Sequence, residues 1–506
     1  MRGVWLGAAC GLALWGVTGR ALACDEARPT QPATSFYPYE EGVAALSVRS
    51  PGGHFRVWYA ESGVHAPPGA GAGVPPNVEL VLDIAEEARE HFIGLGLLAP
   101  PSDQRVACAA HDEAFDIYLR DFAGNADGLV VREDCSVTTP TVCSGFMVVE
   151  NDFAGYSYPD LLTAYRTVVP HEYFHMVQSA YDARLEVWYS EGTAQWGANH
   201  VYPELTDLER FLPAYFSQTH RSIDSPPTGP VVSFSYATAI FPVFLEERFD
   251  AALVVSTLGE LGAAGVPATS AIDRALQARG ADLGTVFGEF ARWNAATGSR
   301  AGEQGYQDRA VYPQVPVTAL SELGEVSGTT IGLSAHYYEL AVAPSEVLIE
   351  TDPARNSAWH VPYAGAGLDL ASAIELPNGN YSAPLERGVI VITGRTVLRS
   401  DARYRLRVAE PTLPDGGVAG AGGAAGAGGA AGASGAAGAG GAGLAGSGGA
   451  GSGAEPGGGG CAISAASWGL SRDSRGTSWG LSALLGLVGL GLWARRPRKS
   501  TAAYRN

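Results

Sequence analysis

The segment 171–175 reads His-Glu-Tyr-Phe-His, which has the residue types and the spacing of a metal-dependent hydrolase. On a helix, residues i and i+4 lie on one face, so two imidazoles at this spacing can bind one metal ion about 2 Å from each nitrogen. The glutamate between them, Glu172, can then face a water molecule on that metal and act as general base. A helix that only carries two structural histidines is the alternative. The pattern predicts a catalytic metal centre.

A tetrahedral catalytic zinc site needs a third protein ligand and leaves its fourth position to water. The longer metzincin motif, H-E-x-x-H-x-x-G-x-x-H, is absent, because Gln178 and Tyr181 stand at its glycine and last histidine positions. A glutamate on a following helix is the other common solution, and Glu191 occupies such a segment. Glu186 and His200 remain alternative third ligands.

The segment around Glu191 reads Glu-Gly-Thr-Ala and resembles the E-G-x-A sequence around the ligand glutamate of the gluzincins. These are the thermolysin-like and aminopeptidase-like zinc peptidases. The resemblance implies a zinc ion held by His171, His175 and Glu191. The chain departs from those families in one respect, since its connection between the two ligand-bearing segments is shorter than theirs.

Two further segments resemble parts of zinc aminopeptidases. Tyr236 opens a predicted helix and resembles the tyrosine that hydrogen-bonds the tetrahedral intermediate, with a core tyrosine as the alternative. Residues 145–150 are close to the G-x-M-E-N strand whose glutamate holds the substrate's free amine. Here two additional valines separate Met147 from Glu150. We therefore favour Glu150 as a strand-end residue over an amine anchor.

The elements that must position these residues begin with alternating strand and helix patterns. Residues 54–59 and 115–119 alternate in the manner of strands, and residues 78–95 between them keep helical spacing. Residues 129–131 and 145–152 are further predicted strands. Strand, helix, strands and metal helix follow one another as in the upper half of zincin folds.

The metal helix is predicted over residues 168–182. Proline is unfavourable inside a helix, but with Thr167 as the cap Pro170 falls in the first turn, where its missing N–H has no intrahelical partner. Residues 160–166 would then form a separate turn or short helix. A second helix is predicted over residues 188–201. Further helices follow over 205–216, 236–249, 252–261 and 272–293.

The predicted fold class is α+β. Residues 24–49 form a lead-in, and residues 50–310 form a zincin-like metallopeptidase domain with a mixed sheet, the H-E-x-x-H helix and a helical lower half. Residues 311–410 contain short strands separated by turns, which favours a small β-sandwich.

The N-terminus predicts export. Residues 1–23 form a secretory signal peptide, with Arg2 as its positive start, an apolar run, and the A-x-A cleavage site at residues 21–23. Export permits disulfides. The four cysteines of the mature body allow three pairings, of which the short separation favours Cys135 with Cys143. The four are Cys24, Cys108, Cys135 and Cys143.

The C-terminus predicts attachment. Residues 411–460 are almost wholly Gly, Ala and Ser and form a flexible linker. Residues 461–506 contain Cys461, a short apolar run and an Arg/Lys cluster, and so resemble the MYXO-CTERM sorting tails of exported myxobacterial proteins. The resemblance implies transient membrane insertion of the tail, its removal, and tethering at the cell surface, on the outer membrane or extracellularly. A plain membrane anchor is the alternative.

The formal net charge of −19 argues against nucleic acid as a partner. The combination of signal peptide, metal motif and tail resembles the secreted metallopeptidases of myxobacteria. The resemblance implies Zn²⁺ as cofactor and a peptide or protein substrate, and we expect a monomer. Glu172 would activate the zinc-bound water, and Tyr236 would steady the oxyanion. The alternative function is a catalytically inactive, peptidase-like binding or adhesion protein at the surface.

Overall fold

The computed structural model describes residues 28–31, 35, 37–106, 109, 112–225, 233–320, 324–341, 345–396, 401–409 and 462–463. The predicted signal peptide, Cys24, Cys108, the Gly/Ala linker and nearly all of the sorting tail lie outside these residues. The chain divides into two units, 1–464 and 465–506, and every described residue belongs to the first.

Strands and helices share the described residues, so the mixed α+β class is confirmed. The early part alternates strand and helix, the middle is helical, and the last part consists of strands. The strands are β1 Ala45–Arg49, β2 Phe55–Ala60, β3 Phe115–Arg120, β4 Gly128–Glu133, β5 Ser144–Glu150, β6 Thr318–Leu320, β7 Glu325–Ile331, β8 Ala335–Leu340, β9 Ser345–Glu350, β10 Asn356–Ala364, β11 Gly367–Leu368, β12 Ile374–Glu375, β13 Gly379–Leu385, β14 Gly388–Gly394, β15 Asp401–Ala409 and β16 Ala462–Ile463. The helices are α1 Pro76–Gly94, α2 Leu161–Ser179, α3 Val187–Val201, α4 Asp207–Phe216, α5 Ser233–Ala237, α6 Ile240–Arg248, α7 Ala251–Ala264, α8 Ala268–Gln277 and α9 Leu283–Ala295.

The first sheet is mixed, with the strand order β1-β2-β3-β5-β4-β16. Strands β2, β3 and β5 run parallel, whereas β1 and β4 are antiparallel to their neighbours β2 and β5. Alternate residues of each strand point to opposite faces. Ile117 and Met147 pack into the same apolar cluster as α1 and α2, while Tyr118 and Val148 pack into a separate cluster on the other face.

A buried arginine lies on the first sheet and ties the N-terminal segment to it. Arg28 is fully buried and donates to Asp103 at 2.6 Å, to Glu133 at 2.7 Å and to Asp116. Its guanidinium also lies 5.0 Å from the ring centroid of Phe146. We call these residues, Arg28 with its three carboxylates, the Arg28 cluster.

The metal helix is longer than predicted. Helix α2 begins at Leu161, because the Asp160 side chain accepts a hydrogen bond from the backbone N–H of Thr163 at 2.8 Å and caps the helix. The predicted cap, Thr167, lies inside the helix and donates its hydroxyl to the carbonyl of Thr163 at 2.9 Å. The predicted start at residue 168 is therefore wrong, and Pro170 lies in the helix interior.

The helix predicted over residues 236–249 is two helices, α5 and α6. Tyr236 lies near the end of α5 and does not open a helix, so that part of the prediction is wrong. The break falls at Thr238, whose hydroxyl lies 2.6 Å from the carbonyl oxygen of Trp188 and 2.7 Å from that of Ser235. A threonine hydroxyl that bonds nearby carbonyls competes with the helical hydrogen-bond pattern.

The last part of the described chain forms two antiparallel-rich sheets, ordered β11-β10-β14-β8-β6 and β13-β9-β15-β7. Both contribute to one apolar cluster, through Ile390 and Ile392 of β14 and through Leu406 of β15. Val389 and Val391, which alternate with these isoleucines along β14, pack instead into the large cluster that contains the helices.

In the described part of the chain, no single helix is both long enough and apolar enough to cross a membrane. The pair α7 and α8 meets both conditions only together, across a bend of 117°.

Candidate metal centre

Helices α2 and α3 bring the three predicted ligands together in the interior. The Nε2 atom of His171 lies 3.2 Å from Oε2 of Glu191, and Nε2 of His175 lies 3.5 Å from the same oxygen. The two imidazole rings have centroids 4.9 Å apart. Among the described residues, this is the one group of three or more His, Cys, Asp or Glu side chains placed to hold a metal ion.

Two buried polar atoms of this group are available to bind a metal ion. The atoms His175 Nε2 and Glu191 Oε1 are buried, and neither has a hydrogen-bond partner among the described residues. Buried polar atoms in native proteins almost always have a partner, because an unpaired one costs free energy. Two imidazole nitrogens and a carboxylate oxygen suit zinc and other divalent transition metals. The group therefore matches a divalent cation.

The two histidines keep the carboxyl group of Glu191 ionised, which is the form that binds a metal ion. Burial raises the pKa of Glu191, but His175 and His171 outweigh burial and hold that pKa at about 2. Burial lowers the pKa of His171. For His175, burial also acts to lower the pKa, but the neighbouring Glu191 and Glu172 raise it overall. Glu191 is therefore anionic at neutral pH, as a metal ligand must be.

Gln178, which the sequence reasoning did not assign to the site, orients His175. Its Oε1 lies 2.9 Å from Nδ1 of His175, and its Nε2 donates to the Ser190 carbonyl at 2.7 Å and to the Thr193 hydroxyl at 2.8 Å. The fixed amide places a proton on Nδ1 and leaves Nε2 of His175 for a metal. The sequence signal was its position three residues after His175, on the same helix face.

Gly128 at the start of β4 makes room for Glu172, which is only 1% exposed. A Cβ atom on Gly128 would lie 2.7 Å from Cγ of Glu172 and 2.7 Å from Cγ1 of Val168. Only glycine lets this strand approach α2 so closely. Nothing in the sequence distinguished Gly128 from an ordinary turn glycine, so this role was missed.

Tyr236 lies beside the metal ligands. Its ring centroid is 5.7 Å from that of His171, and the ring of Phe211 stacks on it at 4.8 Å. The tyrosine is 3% exposed. The structure thus brings Tyr236 to the same place as His171, His175 and Glu191.

The alternative site residues lie elsewhere. The Glu186 carboxylate accepts from the backbone N–H of Ala268, and His200 contacts His91 and Glu246. Glu150 accepts hydrogen bonds from the backbone N–H groups of Phe122 and Asn151 and from the Tyr156 hydroxyl. These contacts fit the strand-end interpretation of Glu150.

A disulfide loop closes the end of α2. Cys135 and Cys143 form the predicted disulfide. The backbone N–H of Cys143 donates to the carbonyl of Ser179 at 3.1 Å, and the carbonyl of Thr141 accepts from Ala183 at 2.7 Å. The loop thereby fixes the short connection between α2 and α3, which holds the histidines against Glu191.

Comparison with known proteins adds little. No protein family model matches the sequence, and no curated protein matches it. Among solved structures, the chain is similar to Legionella pneumophila aminopeptidase A in complex with aspartic acid, with 9% identity and a TM-score of 0.30. The match covers 71% of this chain and 36% of that one. At this level the likeness supports no conclusion about activity.

Proposed function

We propose that this chain is a zinc-dependent peptidase with a zincin-like domain over residues 50–310 and a β-sandwich over residues 311–410. The observation that carries the proposal is the convergence of His171, His175 and Glu191, with Glu172 held next to them. A purely structural zinc site takes four protein ligands and needs no further carboxylate beside them. Three ligands and an adjacent carboxylate favour catalysis over an inactive binding scaffold.

In the proposed reaction, a zinc ion held by the three ligands would supply a Lewis acid that activates water and polarises the peptide carbonyl. Glu172 takes the proton of the attacking water and delivers it to the leaving amine. Tyr236 donates a hydrogen bond to the oxygen that gains negative charge. Gln178 keeps the His175 ring oriented throughout.

We further propose export and surface attachment through residues 461–506. The support is the sequence alone, namely the signal features of residues 1–23 and the tail that follows Cys461. Intact-mass measurement of protein from its native source tests the proposal. The expected mass lacks residues 1–23 and the apolar end of the tail, and a mass that retains the apolar end would favour a plain anchor.

Three variants, tested for zinc per chain and for hydrolysis of a casein-like substrate, separate the roles. Glu172→Gln keeps the shape of the side chain and should retain zinc while losing about 10²–10⁴-fold in rate. Glu191→Ala should lose both zinc and activity. Tyr236→Phe should keep zinc and slow turnover about 10²-fold. Full zinc content in Glu191→Ala would refute the ligand assignment.

A further inference from the structure

A second pair of histidines lies apart from the candidate metal centre. His91 on α1 and His200 on α3 have ring centroids 4.9 Å apart. The rings of the two ligand histidines on α2 are separated by the same 4.9 Å. The Nε2 atom of His91 lies 2.7 Å from Nδ1 of His200, so the two nitrogens share one proton.

A carboxylate stands behind one of these histidines. Nε2 of His200 lies 2.9 Å from Oε1 of Glu246, while the other oxygen of Glu246 accepts from the indole N–H of Trp196 at 2.6 Å. The proton of His200 therefore sits on Nε2, and the lone pair of Nδ1 faces His91. A histidine that binds a metal almost always donates its second ring N–H to such a carboxylate.

The pair is open to solvent and lies among acidic side chains. The side chain of His200 is 21% exposed. Glu87 precedes His91 by one helical turn, and its carboxylate accepts from the Tyr202 hydroxyl at 2.5 Å. Burial and the neighbouring His200 lower the pKa of His91, which favours its neutral ring, whereas the hydrogen bond with Glu246 raises the pKa of His200, so a cation must displace a proton from this pair.

We propose that His91 and His200 bind a second divalent transition-metal ion such as Zn²⁺, with Glu246 as the outer partner of His200 and water completing the coordination. Two zinc–nitrogen bonds of about 2.0–2.1 Å at a tetrahedral angle place the nitrogens about 3.3 Å apart. Metal binding therefore needs the two nitrogens to move about 0.6 Å apart and both lone pairs to turn toward the ion, and the shared proton is released to solvent. The bound ion would link α1 to α3, the helix that carries Glu191. The proposal does not depend on peptidase activity.

The test is a calorimetric titration of tag-free, chelator-stripped protein with Zn²⁺. The parent protein should bind two equivalents, and His91→Asn should bind one fewer. Glu246→Gln should keep the second equivalent but bind it about 10–100-fold more weakly, since it loses only the charge of the outer partner. His54→Asn is the matched control, because His54 also pairs with a carboxylate, Glu86 at 2.8 Å, while no contact with a second histidine is found for it among the described residues.

The result that overturns the proposal is equal zinc uptake by the parent protein and His91→Asn, or an equal loss in His54→Asn. Glu191→Ala distinguishes this site from the candidate metal centre, because it should retain the equivalent that His91→Asn removes. If the parent protein binds a single equivalent that His91→Asn abolishes, the second site stands and the metal assignment at His171 fails.

Discussion

Two groups of buried charges in this molecule are neutralised in opposite ways. In the Arg28 cluster the cation belongs to the chain, since one guanidinium donates to the carboxylates of Asp103, Asp116 and Glu133. In the candidate metal centre, Glu191 faces two imidazoles, and its Oε1 has no partner among the described residues. A carboxylate cluster that contains its own arginine is part of the scaffold. A cluster whose possible ligand atoms have no hydrogen-bond partner can instead be neutralised by a metal ion that is not part of the chain.

The carboxyl pKa values differ in the same sense. Burial raises the pKa of Asp116 to about 6 and that of Glu133 to about 7, although Arg28 opposes the rise. At Glu191 the histidines overcome burial and hold the pKa at about 2. The predictions below test this contrast.

The largest expected effect comes from removing the built-in cation. Arg28→Met leaves three carboxylates buried without their guanidinium and should lower the free energy of unfolding by about 3–5 kcal/mol. Arg279→Met is the control, because it removes an arginine from a solvent-exposed pair with Asp250 and should cost about 0–1 kcal/mol. Denaturant unfolding measures both, and similar losses in the two variants would contradict the scaffold role of Arg28.

A smaller effect, on the rate of hydrolysis, is expected when the close approach of β4 to α2 is prevented. In Gly128→Ala the added Cβ meets Glu172 and Val168, so Glu172, the proposed general base, is displaced. Displacement of a catalytic group by about 1 Å costs about 10²-fold in rate, whereas zinc content should not change. Gly259→Ala is the control, because a Cβ there meets nothing within 4 Å. Undiminished turnover in Gly128→Ala would separate Glu172 from the chemistry.

A loss of zinc affinity of similar or smaller size is expected when the hydrogen-bond partner of His175, a proposed metal ligand, is removed. Gln178→Met removes the acceptor of His175 and should weaken zinc binding about 10–100-fold, the usual effect of losing such an outer partner. Zinc competition with a chelator of known affinity measures it. Affinity equal to that of the parent protein would mean that packing alone orients His175.

The smallest effect is a pH dependence. The folded pKa values of Asp116 and Glu133, about 6 and about 7, exceed unfolded values near 4. Their contribution to stability is therefore complete below about pH 4 and is lost as the pH rises through 6 to 7. Without Arg28 protonation becomes the main way for these carboxylates to lose their charge, although Asp116 keeps its hydrogen bond from the Trp58 indole N–H. The stability gap between the parent protein and Arg28→Met should thus be narrower at pH 5 than at pH 8. A gap that is constant or widens on acidification would oppose this account.

The two regions also differ in how far the sequence predicts them. Helical spacing pairs His171 with His175 on one helix face, whereas Glu191 lies on another helix and was proposed from the resemblance of its segment to the gluzincins. The exact start of α2 was not predicted, because the cap was placed at Thr167, whereas the Asp160 side chain is the one that bonds the first turn.

The rest depends on contacts between distant segments. The room that Gly128 gives to Glu172 arises only when β4 packs on α2, and no local pattern marks it. The Arg28 cluster consists of one residue from the N-terminal segment and three from separate loops and strands, so no periodic pattern in the sequence predicts it. The disulfide was predicted because Cys135 and Cys143 are only eight residues apart, and the structure contains this bond.

The Arg28 cluster also sets an order of assembly. Arg28 is separated from its partners by 75, 88 and 105 residues, whereas His171 and Glu191 are 20 apart. Closing the longest of these loops costs about 1.5 kcal/mol more than closing the shortest, and contacts between distant residues form slowly. In a chain made from its N-terminus, Arg28 is the first of the described residues to appear, yet the cluster is complete only when Glu133 has followed Asp103 and Asp116.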